Sequence, residues 1–367
     1  MLHRRDAMIR LGTAGLGALA LPNLLRAEQS SPALAGRGKA KSCILLYLWG
    51  GPPQQDMWDL KPESPEGIRS QFAPINTVTP GIQICDQMPQ IAQHTDKLAI
   101  VRSYTHPSNA HEVGVYHTLT GKIDNTLAVP RNQRKRSDFP NPGAVVSHFS
   151  SPGTMPASVT VPKPIGHDGV VYAGTYAGFL GAQHDPLEMQ SPGEVNVRPP
   201  HSLDLLDGMD STRLQARHGL LKLMEDHDRV VQQRGARPGM APGLEQFREQ
   251  AFRMLMAPEA RGAFDVSQEP DAVRDRYGRN EYGESFLLSR RLIASGVRLV
   301  TVVWSYICPD GNVANVWDNH GGTGSLGGIT GYAMLKEKYC LPPLDQAYSA
   351  LLEDLSQRGM LDETLVV

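Results

Sequence analysis

The stretch Val297-Arg298-Leu299-Val300-Thr301-Val302-Val303-Trp304, followed after a polar loop by Val316-Trp317-Asp318-Asn319-His320-Gly321-Gly322, decides the fold class. A run of Val and Thr, entered from a helix-like segment that stops at Gly296, has the composition of a strand buried on both faces of an α/β sheet. Open α/β sheets keep their chemistry in the loops that leave the carboxyl ends of such strands. Asp318 and His320 are separated by one residue in glycine-flanked chain. In extended backbone both side chains then point to one side and offer an oxygen and a nitrogen to one cation. The same residues also fit a capped loop in which Asp318 accepts backbone N–H bonds and His320 is solvated.

Working outward, the 367 residues suffice for one large α/β domain or two smaller ones with a sizeable core. The net charge of -2 gives no electrostatic reason to expect nucleic acid as a partner, and the basic run Arg131, Arg134, Lys135, Arg136 reads as a solvated loop. Cys43, Cys85, Cys308 and Cys340 are widely spaced without a C-x-x-C pair, which excludes a cysteine-based zinc knuckle. Residues 1–40 read as an export signal and linker. Arg4-Arg5 precede an apolar stretch from Ile9 to Leu25, and Ala33-Leu34-Ala35 offers a cleavage site, a pattern that favours the twin-arginine route to the periplasm or the exterior. The stretch is shorter than the roughly 20 apolar residues a spanning helix needs, so no stable membrane span is expected after cleavage.

Residues 41–367 then form the expected domain. Ser42 to Trp49 read as a second buried strand, breaking into Gly50-Gly51-Pro52-Pro53 and reaching Asp56 where a first-strand metal carboxylate is expected. Asp56 equally fits a turn cap, and Asp59 is the lesser candidate. Lys97 to Arg102 predict a third strand, running into a polar loop with Thr105, His106, Ser108, Asn109 and His111, and then a short helix from Val113 to Leu119 closed by Thr120-Gly121. Strand, polar loop and helix start present a nucleophile or an anion to backbone N–H groups and the positive end of the helix. His117, on the helix, reads as a packed histidine. Residues 130–200 are rich in Pro and Gly, with one short strand from Ala157 to Val161 and a covering loop from Gly174 to Pro186. A helical insertion is expected at about 205–262, its apolar stripes (Leu214, Leu220, Leu221, Leu223, Met224; Leu244, Phe247, Phe252, Leu255) packing on the core and its Arg/Glu faces in water. The helix Glu284 to Ser295 feeds the opening strand, and Pro343 begins a helix with Leu344, Ala347, Leu351, Leu352 and Leu355 on one stripe up to Gly359. Leu361 to Val367 read as a further buried strand, from which a product truncated at its C-terminus is expected.

Several of these segments resemble the secreted family known as domain of unknown function 1501, which is placed with alkaline phosphatase-like enzymes such as sulfatases, phosphatases and cofactor-independent phosphoglycerate mutases. The resemblance rests on Arg4-Arg5-Asp6, on Trp49-Gly50-Gly51-Pro52 leading to Asp56, and on Arg102-Ser103 through His111 to Thr120-Gly121. It continues in Trp317-Asp318-Asn319-His320-Gly321 and in Leu341-Pro342-Pro343-Leu344-Asp345-Gln346-Ala347 through Leu361-Asp362-Glu363-Thr364-Leu365-Val366-Val367. It implies a three-layer α/β/α sandwich with a site for two divalent cations at the carboxyl edge of the sheet. Asp56 would bind one ion, Asp318 and His320 the other, of the Zn or Mg/Ca/Mn class. No cysteine here carries the C-x-P-x-R pattern of sulfatases, which disfavours formylglycine chemistry. The nucleophile position falls near His111, with Thr105 and Ser108 upstream. The family pattern continues past Leu365 with a Gly/Glu/Arg loop and a histidine-bearing loop. A chain without them would bind metal weakly or not at all.

The function expected on this basis is an exported metal-dependent hydrolase of phosphate or sulfate esters, impaired in a truncated form, acting on a small-molecule or glycan ester. The alternative is a non-catalytic exported binding protein for sulfated or phosphorylated glycans that keeps the fold without the nucleophile.

Overall fold

The computed structural model describes residues 38–128, 134–167, 170–189, 205, 208–232, 244–304, 306–307, 313–318, 326–329 and 331–367. Its centre is a five-stranded, fully parallel sheet of β1 (Ser42–Tyr47), β2 (Ser158–Val161), β3 (Leu187–Glu188), β4 (Leu299–Val303) and β5 (Thr364–Val366), in the spatial order β5-β1-β4-β2-β3. In register, Cys43 pairs with Leu299 and Tyr47 with Val303, Ser158 pairs with Leu299, and Ser42 pairs with Thr364. The β-branched run that opened the sequence reading is therefore the central strand, and all five of its residues are buried.

Alternate side chains enter opposite layers, as a pleated strand requires. Ile44 and Leu46 of β1, with Val300 and Val302 of β4, pack against α7 (Glu281–Ala294) through Phe286, Leu287 and Leu292 and against α9 (Leu341–Gln357) through Leu344, Leu351 and Leu355. Leu45 and Tyr47, with Val303, face the other way and meet Val115 and Leu119 of α1 (His111–Thr120), together with Ile165 and Tyr172. On that same side α2 (Pro142–Phe149) lies close enough that a Cβ on Gly143 would stand 2.1 Å from Ser158 Oγ. Helices thus cover both faces, the condition under which a parallel sheet is stable. Each fully buried aliphatic side chain in these layers contributes about 1.5–3 kcal/mol.

Local signals set the helix ends. Asn280 accepts N–H bonds from Tyr282 and Gly283 at the start of α7, and Gly296, at φ +100°, turns the chain out of it. Gly121, at φ +70°, ends α1 with its N–H on His117 O. The remaining helices are α3 (Ser211–Gln232), α4 (Leu244–Met256), α5 (Pro258–Ala263), α6 (Asp271–Tyr277) and α8 (Gly331–Lys336). No described helix is long and apolar enough to cross a membrane.

Three expectations are corrected. Residues 97–102 do not form a strand. The chain leaves a 3-10 helix (Ile91–Lys97) in extended form, with Leu98 and Ile100 half-buried and Val101 exposed, and joins no ladder. The alternation in sequence is real, but without a strand beside it the segment has nothing to pair with. The segment after α9 is not a strand buried on both faces. A 3-10 turn (Leu361–Glu363) precedes β5, which pairs with β1 alone and leaves Leu365 exposed. In the helical insertion, α4 reaches the core through Met254 and bonds Gly153 O and Thr154 O through Arg253 and Gln250. The α3 stripe stays in solvent, with Leu220, Leu223 and Met224 exposed, and α3 is held to α4 instead by His218, stacked 3.7 Å over Phe252 and bonded to Glu249 at 2.9 Å.

Candidate active site

The carboxyl ends of β1 and β4 bring together three segments distant in sequence. Beyond β1 the chain passes Trp49, buried at 3 % exposure, and turns at Gly50 with φ +121°. A Cβ on Gly50 would lie 2.3 Å from Asn315 Oδ1, so the first-strand loop and the loop beyond β4 touch across this glycine. Gly50→Ala therefore meets both a steric and a conformational obstacle. The expected loss is about 1–3 kcal/mol in a thermal or urea unfolding titration. Adding Asn315→Ala should restore only the steric part, because the positive φ remains.

Asp318 is held by the residues that precede it. Val316 and Trp317 are fully buried, Trp317 packs on Trp304 at 5.7 Å, Cys340 Sγ donates to Val316 O, and the Asp318 N–H donates to Asn315 O. Burial raises the Cys340 thiol pKa, so it stays a protonated donor. The Asp318 carboxylate meets α1 at its first residue, with His111 Nε2 standing 2.7 Å from Asp318 Oδ2. The edge of the Trp49 indole walls the imidazole at 6.5 Å and is itself set edge-on to Tyr172 at 5.8 Å. Glu112 follows in the first turn of α1, where the helix's positive end favours a carboxylate.

The other predicted residues are placed as follows. Asp56 is buried and accepts a 2.7 Å bond from Ser70 Oγ. Tyr332 stands next to it, its phenol pKa raised by burial and further by the Asp56 carboxylate. A cavity of about 740 Å³ lined by Arg69, Ser70, Phe72 and Tyr332 opens at these partners. Ser108 Oγ accepts the Ala110 N–H at 3.2 Å and so braces the turn entering α1, while Thr105 is exposed. His106 packs over Gly114 and edge-on to His117. His320 lies outside the described residues, as do the paired arginines and apolar run of the expected export signal.

The structure thus joins His111 to Asp318, while the hydrogen bond of Asp56 runs to Ser70. Among the described residues no three His, Cys, Asp or Glu side chains stand together as a metal-binding group. The chemistry of the rim still suits a hard or borderline cation. Asn315 Oδ1 is buried with no hydrogen-bond partner among the described residues, at the point where the Gly50 turn meets the loop beyond β4. A carbonyl oxygen left in that state is a ready ligand for a hard cation. Asn315 stands one residue before the motif that begins at Val316, outside the pattern that singles out Asp318 and His320. The signal that could have found it is the polar residue standing three before Asp318 in a loop leaving a central strand.

No curated protein and no solved structure matches the chain. Residues 40–367 match the family model described as Protein of unknown function (DUF1501), and the chain belongs to that family.

Proposed function

We propose that the chain is an exported, metal-dependent hydrolase of phosphate or sulfate esters, built on an α/β/α sandwich of the alkaline phosphatase-like type. Its reaction centre is the rim where His111 and Asp318 meet. The observation that carries this reading is the 2.7 Å contact between His111 Nε2 and Asp318 Oδ2 at the carboxyl edge of a parallel sheet, where α/β proteins concentrate their ligands. With Nε2–H donated to Asp318, the imidazole is fixed in orientation and Nδ1 becomes the nitrogen that takes a proton from an attacking water or alcohol. A divalent cation held at this rim would supply the positive charge that polarises the ester and neutralises the developing anion. Asp318 and Asn315 would hold it, with His320 as the nitrogen donor that the sequence offers and Asp56 as the donor for a second ion. The Ser70 hydroxyl bond to Asp56 suits that role, since ligating carboxylates are themselves hydrogen-bonded. Export rests on Arg4-Arg5 and the apolar run that follows.

One observation favours a second reading, a binding protein for sulfated or phosphorylated glycans. Ser108 Oγ is committed to Ala110 N and Thr105 sits on the exposed loop, so neither hydroxyl is set against His111 as a nucleophile.

The test is turnover of 4-nitrophenyl phosphate and 4-nitrophenyl sulfate by the chain after dialysis against Zn²⁺, Mn²⁺ or Ca²⁺. Metal-dependent hydrolysis is expected, with kcat/KM reduced at least ~10²-fold in Asp318→Ala and His111→Ala chains of unchanged circular dichroism. Wild-type turnover in Asp318→Ala sinks the assignment of the rim. A metal-loaded chain that hydrolyses neither ester yet retains a sulfated glycan column ligand establishes the binding protein.

A further inference from the structure

A second group of imidazoles lies at the opposite edge of the sheet and plays no part in the hydrolase reading. A cleft of about 970 Å³ runs past the amino ends of β2 and β3, between α2 and α4, with Ser147, His184, Ser158, Leu187 and Gln250 in its wall. His148, one residue before the end of α2, is exposed, and His184 closes a 3-10 turn (Ala182–His184). His148 Nδ1 stands 3.3 Å from His184 Nε2, and the rings meet at 76°. Ser147 Oγ stands 3.3 Å from the other nitrogen of His184, Nδ1.

Three features of this cluster agree with one another. Two imidazole nitrogens on one tetrahedral ion at ~2.0–2.1 Å are themselves about 3.3–3.4 Å apart, so the pair already holds the spacing a shared ion needs. With the Ser147 hydroxyl accepting the Nδ1–H of His184, the tautomer is the one that leaves Nε2 its lone pair, the arrangement metal-bound histidines almost always have. The cleft gives the ion an open side where water or an anionic ligand completes its shell. Imidazole donors select Zn²⁺, Ni²⁺ and Cu²⁺ over Mg²⁺ and Ca²⁺.

The geometry points to a two-histidine site for a borderline transition-metal ion, bound by His148 Nδ1 and His184 Nε2, with Ser147 as the residue that positions His184. The ion enters between the nitrogens and replaces the hydrogen bond they share in its absence, with His148 moving its proton to Nε2.

The full chain, stripped with a chelator and dialysed, is titrated with Zn²⁺ against a chromophoric competitor and with Cu²⁺ by electron paramagnetic resonance. One equivalent is expected whose copper spectrum carries two imidazole nitrogens. His148→Ala, which faces solvent and leaves the core untouched, and His184→Ala should each weaken that equivalent at least ~10²-fold. Ser147→Ala should weaken it about 10-fold while both nitrogens persist. Asp318→Ala should leave it unchanged, which separates this site from the rim. An unchanged stoichiometry and nitrogen count in both histidine variants overturns the proposal, and so does a wild-type chain that takes up no copper, which identifies the pair as a hydrogen bond only.

Discussion

Trp317→Ala is expected to lower the unfolding free energy by about 3–5 kcal/mol, the range for truncating a buried aromatic side chain. Trp317 is 0 % exposed and packs on Trp304, which in turn stacks on Tyr282 at 3.9 Å. Its indole N–H has no partner among the described residues, so the loss comes from the cavity and not from a broken hydrogen bond. Trp317→Phe should therefore recover well over half of it. Urea titration followed by circular dichroism measures both variants. A loss below about 1 kcal/mol for the alanine variant would show that the site collapses around the missing ring. The neighbouring residue gives the substitution a second readout. Asp318 is aimed at His111 by the anchorage of Val316 and Trp317, so under conditions where the variant is still folded any metal affinity of the rim should also fall.

Arg290→Met should cost a similar amount for a different reason. Arg290, 3 % exposed on α7, donates to Asp354 of α9 at 2.8 Å and pairs with Glu269 at 2.9 Å. Tyr277 of α6 and Arg358 also bond Asp354, and Arg291 bonds Glu269. Removing one member of a buried charge network leaves its partners desolvated and under-compensated, at a cost of about 3–5 kcal/mol. The pH dependence tests this separately. Burial by itself would raise both carboxylates. The Arg358 bond and the charge of Arg290 nevertheless hold Asp354 below the ordinary range, and the Arg290 charge followed by the Arg290 and Arg291 bonds does the same for Glu269. Because their folded values are lowered, the stability they contribute is present above the unfolded values of about 3.9 and 4.3 and is lost as pH falls through the folded ones. The wild type should therefore lose stability steeply below about pH 4, and Arg290→Met should show a shallower slope there. Parallel slopes would mean that Arg290 does not set these carboxylates.

The sequence exposed the parts of the fold that are governed locally. Val297 to Trp304 announced β4 because a strand buried on both faces has no polar alternation to obscure it, and the apolar run Ser42 to Trp49 announced β1, although only Ile44 of that strand is fully buried and the rest is half-buried. Leu344, Ala347, Leu351 and Leu355 announced α9 by spacing alone. Local pattern does not suffice where a partner strand decides the outcome. Residues 97–102 have strand-like alternation but no neighbour to pair with, whereas Leu187–Glu188 became a strand, too short for any period, because Val159 and Thr160 lie beside it. The candidate site divides in the same way. Asp318 and His111 were each visible as polar residues at the mouth of a strand or the start of a helix. Their pairing, and the orphaned Asn315 oxygen against Gly50, depend on how two remote loops meet, and no local pattern encodes that.

The order of the sheet also constrains how the chain is made. β1 lies between β4 and β5, whose residues, 299–303 and 364–366, emerge from the ribosome long after it. Until then Ile44, Leu46 and their neighbours have no place to go, and the nascent polypeptide must carry them without a ladder. Such non-local pairing slows folding and exposes adhesive apolar segments. Native pairing of β1 on both its edges therefore waits until the two strands that flank it have been made.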